Sequence, residues 1–234
     1  MPLEEDPHDG AMEIEESDIP KLQTDFELVS YTLFYDEFLA FELCCADTDL
    51  LQRTWPIVES ALEEYGLSCT LDLVKRYMRV STTKMASDPD FIFTAIDILE
   101  LLSRSVPADW AIKILDCSCQ HDIIKIGNQE DGLCRIFGIN KEQFLARRAL
   151  LMGGVMKGLV DVTDCGIFLK GNTIAVLGSL HGLKMVRRIV EDCIAHDVPP
   201  APRVQRMRKK SQAKKARRIK RTSEVTMNLQ ALRV

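Results

Sequence analysis

Apolar and polar positions along the chain keep two periods, one of about 3.6 residues and one of two, and the two alternate in the same order twice. In the first copy a helix spans 49–65 and Gly66 ends it. A hairpin follows. Leu71 and Leu73 flank Asp72, and Met78 and Val80 alternate with Arg79 and Ser81, as half-buried strands require. Asp88 and Pro89 then open a second helix, as N-cap and first-turn proline. Along it Ile92, Ile96, Leu99 and Leu102 recur at helical spacing.

The second copy lies roughly 95 residues later, after a connecting helix over 107–117. It begins with a strand over 122–126, then a basic helix from Asn140 to Arg148 and a short helix over 155–163. Strands 165–170 and 173–178 close around Gly171-Asn172, a pair suited to a tight turn. The closing helix, 181–196, buries Leu183, Val186, Val190, Cys193 and Ile194, while Lys184, Arg187 and Arg188 face outward. The pattern predicts an α+β chain made of two small three-stranded sheets, each covered by helices.

Charge divides the ends from this body. The net charge of −5 hides two opposite tails. The first 18 residues hold eight Asp or Glu and no Lys or Arg, and 1–22 reads as disordered. From Arg203 to Arg221 there are eleven Lys or Arg and no acid. That stretch has almost no apolar stripe and reads as a solvated helix or coil. Pro199, Pro200 and Pro202 set it apart from the body. The expected units are an acidic tail over 1–22, a first module over 23–118, a second over 119–198 and a basic tail over 199–234.

Other chemistry is excluded in turn. The acidic start lacks an apolar h-region and no run of ~18 apolar residues exists, so neither a signal peptide nor a membrane span is expected. The eight cysteines suit a reducing compartment. No Cys-x-x-Cys pair occurs, Cys117-Ser-Cys119 has the wrong spacing for zinc, and His121 and Cys134 add no ligand pattern. Buried structural thiols, including Cys44 and Cys45 on an apolar helical segment, are the better account. His8, His121, His181 and His196 form no catalytic set, and Asp72, Asp88, Asp97 and Asp161 are scattered. With no phosphate loop either, neither an enzyme, a cofactor, a metal nor a small-molecule substrate is expected.

A series of short blocks resembles one known family. They include Thr32-Leu33-Phe34, Trp55-Pro56, Thr70-Leu-Asp-Leu-Val74, Met78-Arg-Val-Ser-Thr-Thr83, Leu101-Leu-Ser-Arg-Ser-Val106 and Ala111-Ile-Lys-Ile-Leu115. Further on come Asp122-Ile-Ile-Lys-Ile-Gly-Asn128, Asn140-Lys-Glu142, Arg147-Arg148, Gly171-Asn-Thr173, Gly182-Leu-Lys184, Val186-Arg-Arg188 and Val190-Glu-Asp-Cys193. Together they are similar to the KRR-motif double-KH proteins of the small-subunit processome, which assemble eukaryotic small ribosomal subunits. The resemblance implies tandem KH modules, the first degenerate and the second the RNA binder. It also implies a non-catalytic role in small-subunit rRNA processing, in the nucleus and nucleolus. The implied partners are small-subunit precursor rRNA, with its guide snoRNA as a further candidate, and other processome proteins.

Three departures accompany it. Where the family has a Gly-x-x-Gly loop after the paired arginines, the chain reads Ala149-Leu-Leu-Met-Gly-Gly-Val-Met-Lys157, about two residues shorter. The connection from Asn128 to Asn140 is long and holds Gly132 and Gly138. In place of the family's long tail after the last helix stands the short Lys/Arg stretch.

A KH loop clamps about four nucleotides of single-stranded backbone, and glycine is needed where a side chain would hold phosphate off. Gly153 and Gly154 meet that need at a helix start, where backbone amides favour an anion. Lys157 lies one turn in, Arg147 and Arg148 lie on the entering helix, and Lys170 at the hairpin turn is counted with them. The alternative is a plain glycine turn between packed helices, and the shortened loop points to a weakened or lost clamp. The second candidate surface is Arg203, Arg206, Arg208, Lys209, Lys210, Lys214, Lys215, Arg217, Arg218, Lys220 and Arg221. Such a run neutralises phosphates without reading sequence, and it also serves as a targeting signal. The first module has no glycine clamp, since Gly66 is the only glycine between Gly10 and Gly127, and a protein-interaction scaffold with both clamps lost is the rival reading.

Overall fold

The computed structural model describes residues 32–33, 38–42, 48–86, 88 and 90–231. The acidic tail over 1–22 and the Cys44-Cys45 segment lie outside them. The elements are β1 (Thr32–Leu33), β2 (Phe38–Glu42), α1 (Thr48–Glu63), β3 (Leu67–Asp72), β4 (Tyr77–Thr82), α2 (Phe91–Ser103) and α3 (Ala108–Ala111). A 3₁₀ turn, Ile112–Leu115, leads to β5 (Gln120–Lys125), α4 (Leu133–Ile136), α5 (Lys141–Leu151) and α6 (Gly154–Thr163). β6 (Gly166–Lys170), β7 (Thr173–Gly178), α7 (Leu180–Ile194) and α8 (Ala201–Ala231) complete the described chain.

The α+β class and the internal duplication are both present. The first sheet has the order β1-β2-β4-β3 and the second β5-β7-β6, with every neighbouring pair antiparallel. Thus β2-β4-β3 and β5-β7-β6 repeat one topology, and α1–β3–β4–α2 corresponds to α6–β6–β7–α7. The short β1 widens the first sheet to four described strands rather than the expected three.

Periodicity explains most of the packing. α1 buries Leu51, Trp55, Val58 and Leu62, spaced by three or four residues, against β3 and β4. β7 is different: Thr173, Ile174, Ala175, Val176 and Leu177 are all buried. Ile174 and Val176 join the core under α7, whereas Ala175 and Leu177 join the core of the first module. The second sheet is therefore covered on both faces, as an uninterrupted apolar strand requires. Trp110 packs edge-on against Phe168 across this seam, with ring centroids 5.9 Å apart.

Several expectations need correction. α2 starts at Phe91 with Asp90 as N-cap, because the Asp88 carboxylate accepts from the Asp90 amide at 3.0 Å and forms a turn before the helix. Pro89 lies outside the described residues. The connecting helix is only one α-turn followed by the 3₁₀ turn. Arg187 does not simply face outward. Its guanidinium bonds Asp122 at 2.5 and 2.7 Å and Glu191 at 3.3 Å, and the hydrogen bond to Asp122 raises its pKa further.

The prolines start α8 instead of detaching it. Pro202 sits in the first turn, where a missing N–H costs nothing, and the Pro200 carbonyl accepts from the Val204 amide at 3.0 Å. Val204 is buried with Val155, Leu159 and Ile189 in a third apolar cluster. A Cβ added to Gly158 would stand 2.5 Å from Val204 Cγ1, so α6 and α8 cross in close contact because Gly158 has no side chain. Arg203 pairs with Asp192 at 2.5 Å and Arg208 with Asp161 at 3.0 Å.

Candidate nucleic-acid interface

The glycine junction is built by α5 and α6. Asn140 starts α5 with a reciprocal cap: its side chain accepts from the Gln143 amide at 2.9 Å, and its own amide donates to Gln143 Oε1 at 3.2 Å. The helix runs to Leu151, whose side chain is fully buried, and Met152 turns the chain out. Gly153 then takes φ +67° and ψ −124°, a conformation that strains any residue with a Cβ.

That junction is open. An added Cβ at either Gly153 or Gly154 would meet nothing within 4 Å. No side chain caps α6, so its first-turn amides point at an unobstructed surface. Lys157, one turn along, is exposed, as is Lys170 before the Gly171 turn. Uncapped first-turn amides at a positive helix end attract anions in general, and Lys157 and Lys170 are both exposed.

The two arginines are differently engaged. Arg147 Nη1 donates to the Ile194 carbonyl at 2.7 Å and the Ala195 carbonyl at 3.4 Å, and its Nε lies 3.3 Å from Asp197. Its side chain is only 14% exposed. It satisfies carbonyls at the end of α7 and is withdrawn from any phosphate. Arg148 Nε donates to the Gly171 carbonyl at 3.0 Å, tying the β6–β7 turn to the end of α5 beside the glycines. Arg148 thus positions the Lys170 turn.

The basic stretch divides in the same way. Arg203 and Arg208 are ion-paired to the body, whereas Arg206, Lys209, Lys210, Lys214, Lys215, Arg217 and Arg221 are exposed. Arg218 and Lys220 lie on the same helix. Val204 meets Gly158, Arg208 meets Asp161, and Ser211 to Lys215 lie by Val160 to Asp164. The pairs rise together, so α8 runs parallel to α6 and carries its cations away from Gly153 over the ~15 Å of α6. Of the two glycines in Gly154-Val-Met-Lys-Gly158 only Gly158 meets α8, since an added Cβ at Gly154 would touch nothing within 4 Å.

Burial pushes the Cys69 thiol up to about 12, with Glu59 adding to it, and Cys193 up to about 11. Both behave as packing residues.

A family model described as the Krr1 KH1 domain matches residues 46–117. A second, described as the second KH domain of the KRR1 small subunit processome component, matches 119–215. The chain belongs to the KRR1 double-KH family. At that level it is an RNA-binding ribosome biogenesis factor. The second match reaches beyond the prolines into α8, in keeping with the docked first turns.

Solved structures share the architecture at low identity. Dim2p from Pyrococcus horikoshii OT3 is 16% identical with a TM-score of 0.56, over 74% of this chain and 99% of its own. A chain of the a/eIF2alpha–aDim2p–rRNA complex from the same organism is 17% identical with a TM-score of 0.55, over 76% and 97%. A protein of unknown function from Aeropyrum pernix is 13% identical with a TM-score of 0.56, over 80% and 97%. At such identities these likenesses carry the tandem fold alone.

Proposed function

We propose that this KRR1-family chain is a non-catalytic assembly factor of the small-subunit processome, acting in small-subunit rRNA processing and 40S-type subunit biogenesis in the nucleolus. Its second module holds single-stranded precursor rRNA at the α5–α6 junction, and α8 adds sequence-independent contact to the backbone. Guide snoRNA is a further candidate ligand, and the first module, without a glycine clamp, meets other processome proteins.

The observation that carries this reading is the junction itself. Two adjacent glycines, one at positive φ, open the start of α6 to bulk solvent, with Lys157 one turn along and the Lys170 turn tied by Arg148 to the end of α5. A mere helix turn has no need of an uncovered amide end. The RNA-contacting set is then Gly153, Gly154, Lys157 and Lys170, with Arg206, Lys209, Lys210, Lys214, Lys215, Arg217, Arg218, Lys220 and Arg221 on α8. Arg147, Arg203 and Arg208 support the fold. That the rRNA-bound archaeal complex contains a chain of this architecture adds to the reading.

One observation favours the scaffold alternative: both arginines of the Arg147-Arg148 pair are spent on carbonyls. Single-strand RNA binding by Gly154→Asp protein separates the two. A carboxylate at the amide end repels phosphate, so the clamp reading requires at least ~10-fold weaker binding with the fold intact. Unchanged binding leaves the scaffold.

A further inference from the structure

The two sides of α8 face different surroundings. At 3.6 residues per turn, Val204, Met207, Arg208, Ser211 and Lys215 fall on one side. That side meets the body: Val204 and Met207 join the third apolar cluster, Arg208 pairs with Asp161, and Ser211 and Lys215 line a hollow against the end of α6. Arg206, Lys209, Lys210, Lys214, Arg217 and Arg221 fall within a ~140° arc outside that side, with Lys214 at its edge. All six are exposed, and no carboxylate occurs between Arg203 and Arg221. The stripe is ~22 Å long, from 15 residues at a rise of about 1.5 Å each.

We infer that this stripe is a preformed seat for the backbone of duplex RNA, and that Gly158 is the positioning residue that aims it. The inference rests on the RNA-binding reading above and assigns α8 a ligand different from that of the glycine junction. A straight rod of cations suits a polyanion whose phosphates are already fixed in space and closely spaced along one axis. From Ala201 to Ala231 the sequence holds no aromatic to stack unpaired bases, which single-strand grooves use. Because the first turns of α8 are anchored at Gly158, Asp161 and Asp192, the stripe points away from the body at a set angle. An unanchored tail would have to be ordered at the moment of binding, at a cost in affinity.

The test uses the full chain, a blunt mixed-sequence RNA duplex and one strand of it alone, with anisotropy titrations across a salt series. The stripe variant K209Q/K210Q/K214Q/R217Q keeps the fold, since all four side chains are exposed. It is expected to lose at least ~10-fold in duplex affinity and to flatten the log–log salt slope by about 3 to 4. The control K84Q/R135Q/K141Q/K184Q removes the same charge from exposed positions elsewhere and is expected to change duplex affinity by less than ~3-fold. Gly158→Val, at unchanged net charge, is expected to weaken duplex binding several-fold, and adding Val204→Ala to restore it. Equal losses from stripe and control variants overturn the stripe. Full duplex affinity in the Gly158→Val protein overturns the positioning role. If duplex binding ignores the stripe while Gly154→Asp still abolishes single-strand binding, this inference falls and the RNA-binding function stands.

Discussion

Arg147 on α5 donates its Nη1 hydrogen to the backbone carbonyl of Ile194 on α7 at 2.7 Å, across 47 residues of sequence. That bond closes the second module by joining its first long helix to the end of its last. Replacing Arg147 with Met leaves the carbonyls of Ile194 and Ala195 short of a donor and Asp197 short of a partner. A loss of about 2 kcal/mol in urea unfolding is expected, the usual scale for a hydrogen bond to a charged donor. Affinity for single-stranded RNA, measured where the variant is folded, is expected to stay within ~2-fold, since such a residue contributes stability and not contact.

The docked start of α8 separates two truncations. A chain ending after Arg208 keeps Val204 in its cluster and both ion pairs, so its stability is expected to match the full chain. A chain ending before Pro200 exposes Gly158, Leu159 and Ile189 and loses Val204. Burial of a valine is worth about 1.5–3 kcal/mol, and a fall of that size in thermal or urea unfolding is expected.

Across the module seam, Asp97 on α2 stands 3.9 Å from His121 on β5. Burial raises the Asp97 pKa, with His121 partly opposing it. A raised carboxyl favours the protonated form in the folded state, so stability falls as pH climbs from the ordinary aspartate range to the raised folded value. Asp97→Asn is expected to remove that contribution, so the variant loses less stability than the parent as pH climbs through the window. A pH series of denaturation midpoints reads it directly, and an unchanged slope would show that Asp97 has the same pKa folded and unfolded.

The thiols offer a check on packing. Cys69 and Cys193, raised to about 12 and about 11 by burial, hold almost no thiolate at pH 8, and Cys117 is exposed. Mass spectrometry after brief iodoacetamide treatment of native protein is expected to show Cys117 alkylated, and Cys69 and Cys193 modified only after denaturation.

Much of the fold was legible because its signals are local. Alternation marked β4, Gly171-Asn172 marked the hairpin, Gly66 marked the end of α1, and the 3.6-residue spacing marked α2 and α7. β3, expected around Leu71-Asp72-Leu73, instead spans Leu67–Asp72, with Leu67 and Cys69 buried and Leu73 in the turn. β2 was missed because Phe38-Leu-Ala-Phe-Glu42 is a short apolar run without alternation, equally consistent with a helix. The apolar run of β7 did signal burial, but which module covered its second face depends on contacts far apart in sequence. At the site, the open glycine junction was readable from Gly153-Gly154 within the module. The direction of Arg147 was not, since its partners lie 47 and 48 residues away. The docking of α8 escaped notice because Val204 and Met207 are two apolar side chains among many cations, and their complement is the missing side chain of Gly158.

The central claim is that the α5–α6 junction of this KRR1-family chain grips RNA. In-cell UV crosslinking of the tagged protein, with mapping of crosslinked peptides and sequencing of the attached RNA, tests it most directly. The account predicts crosslinks within residues 152–157 and at the Lys170 turn, carrying small-subunit precursor rRNA, together with separate crosslinks on α8 from Arg206 onward. Crosslinks confined to α8, with none at the glycine junction, would contradict it and leave a protein scaffold tethered to RNA through its last helix.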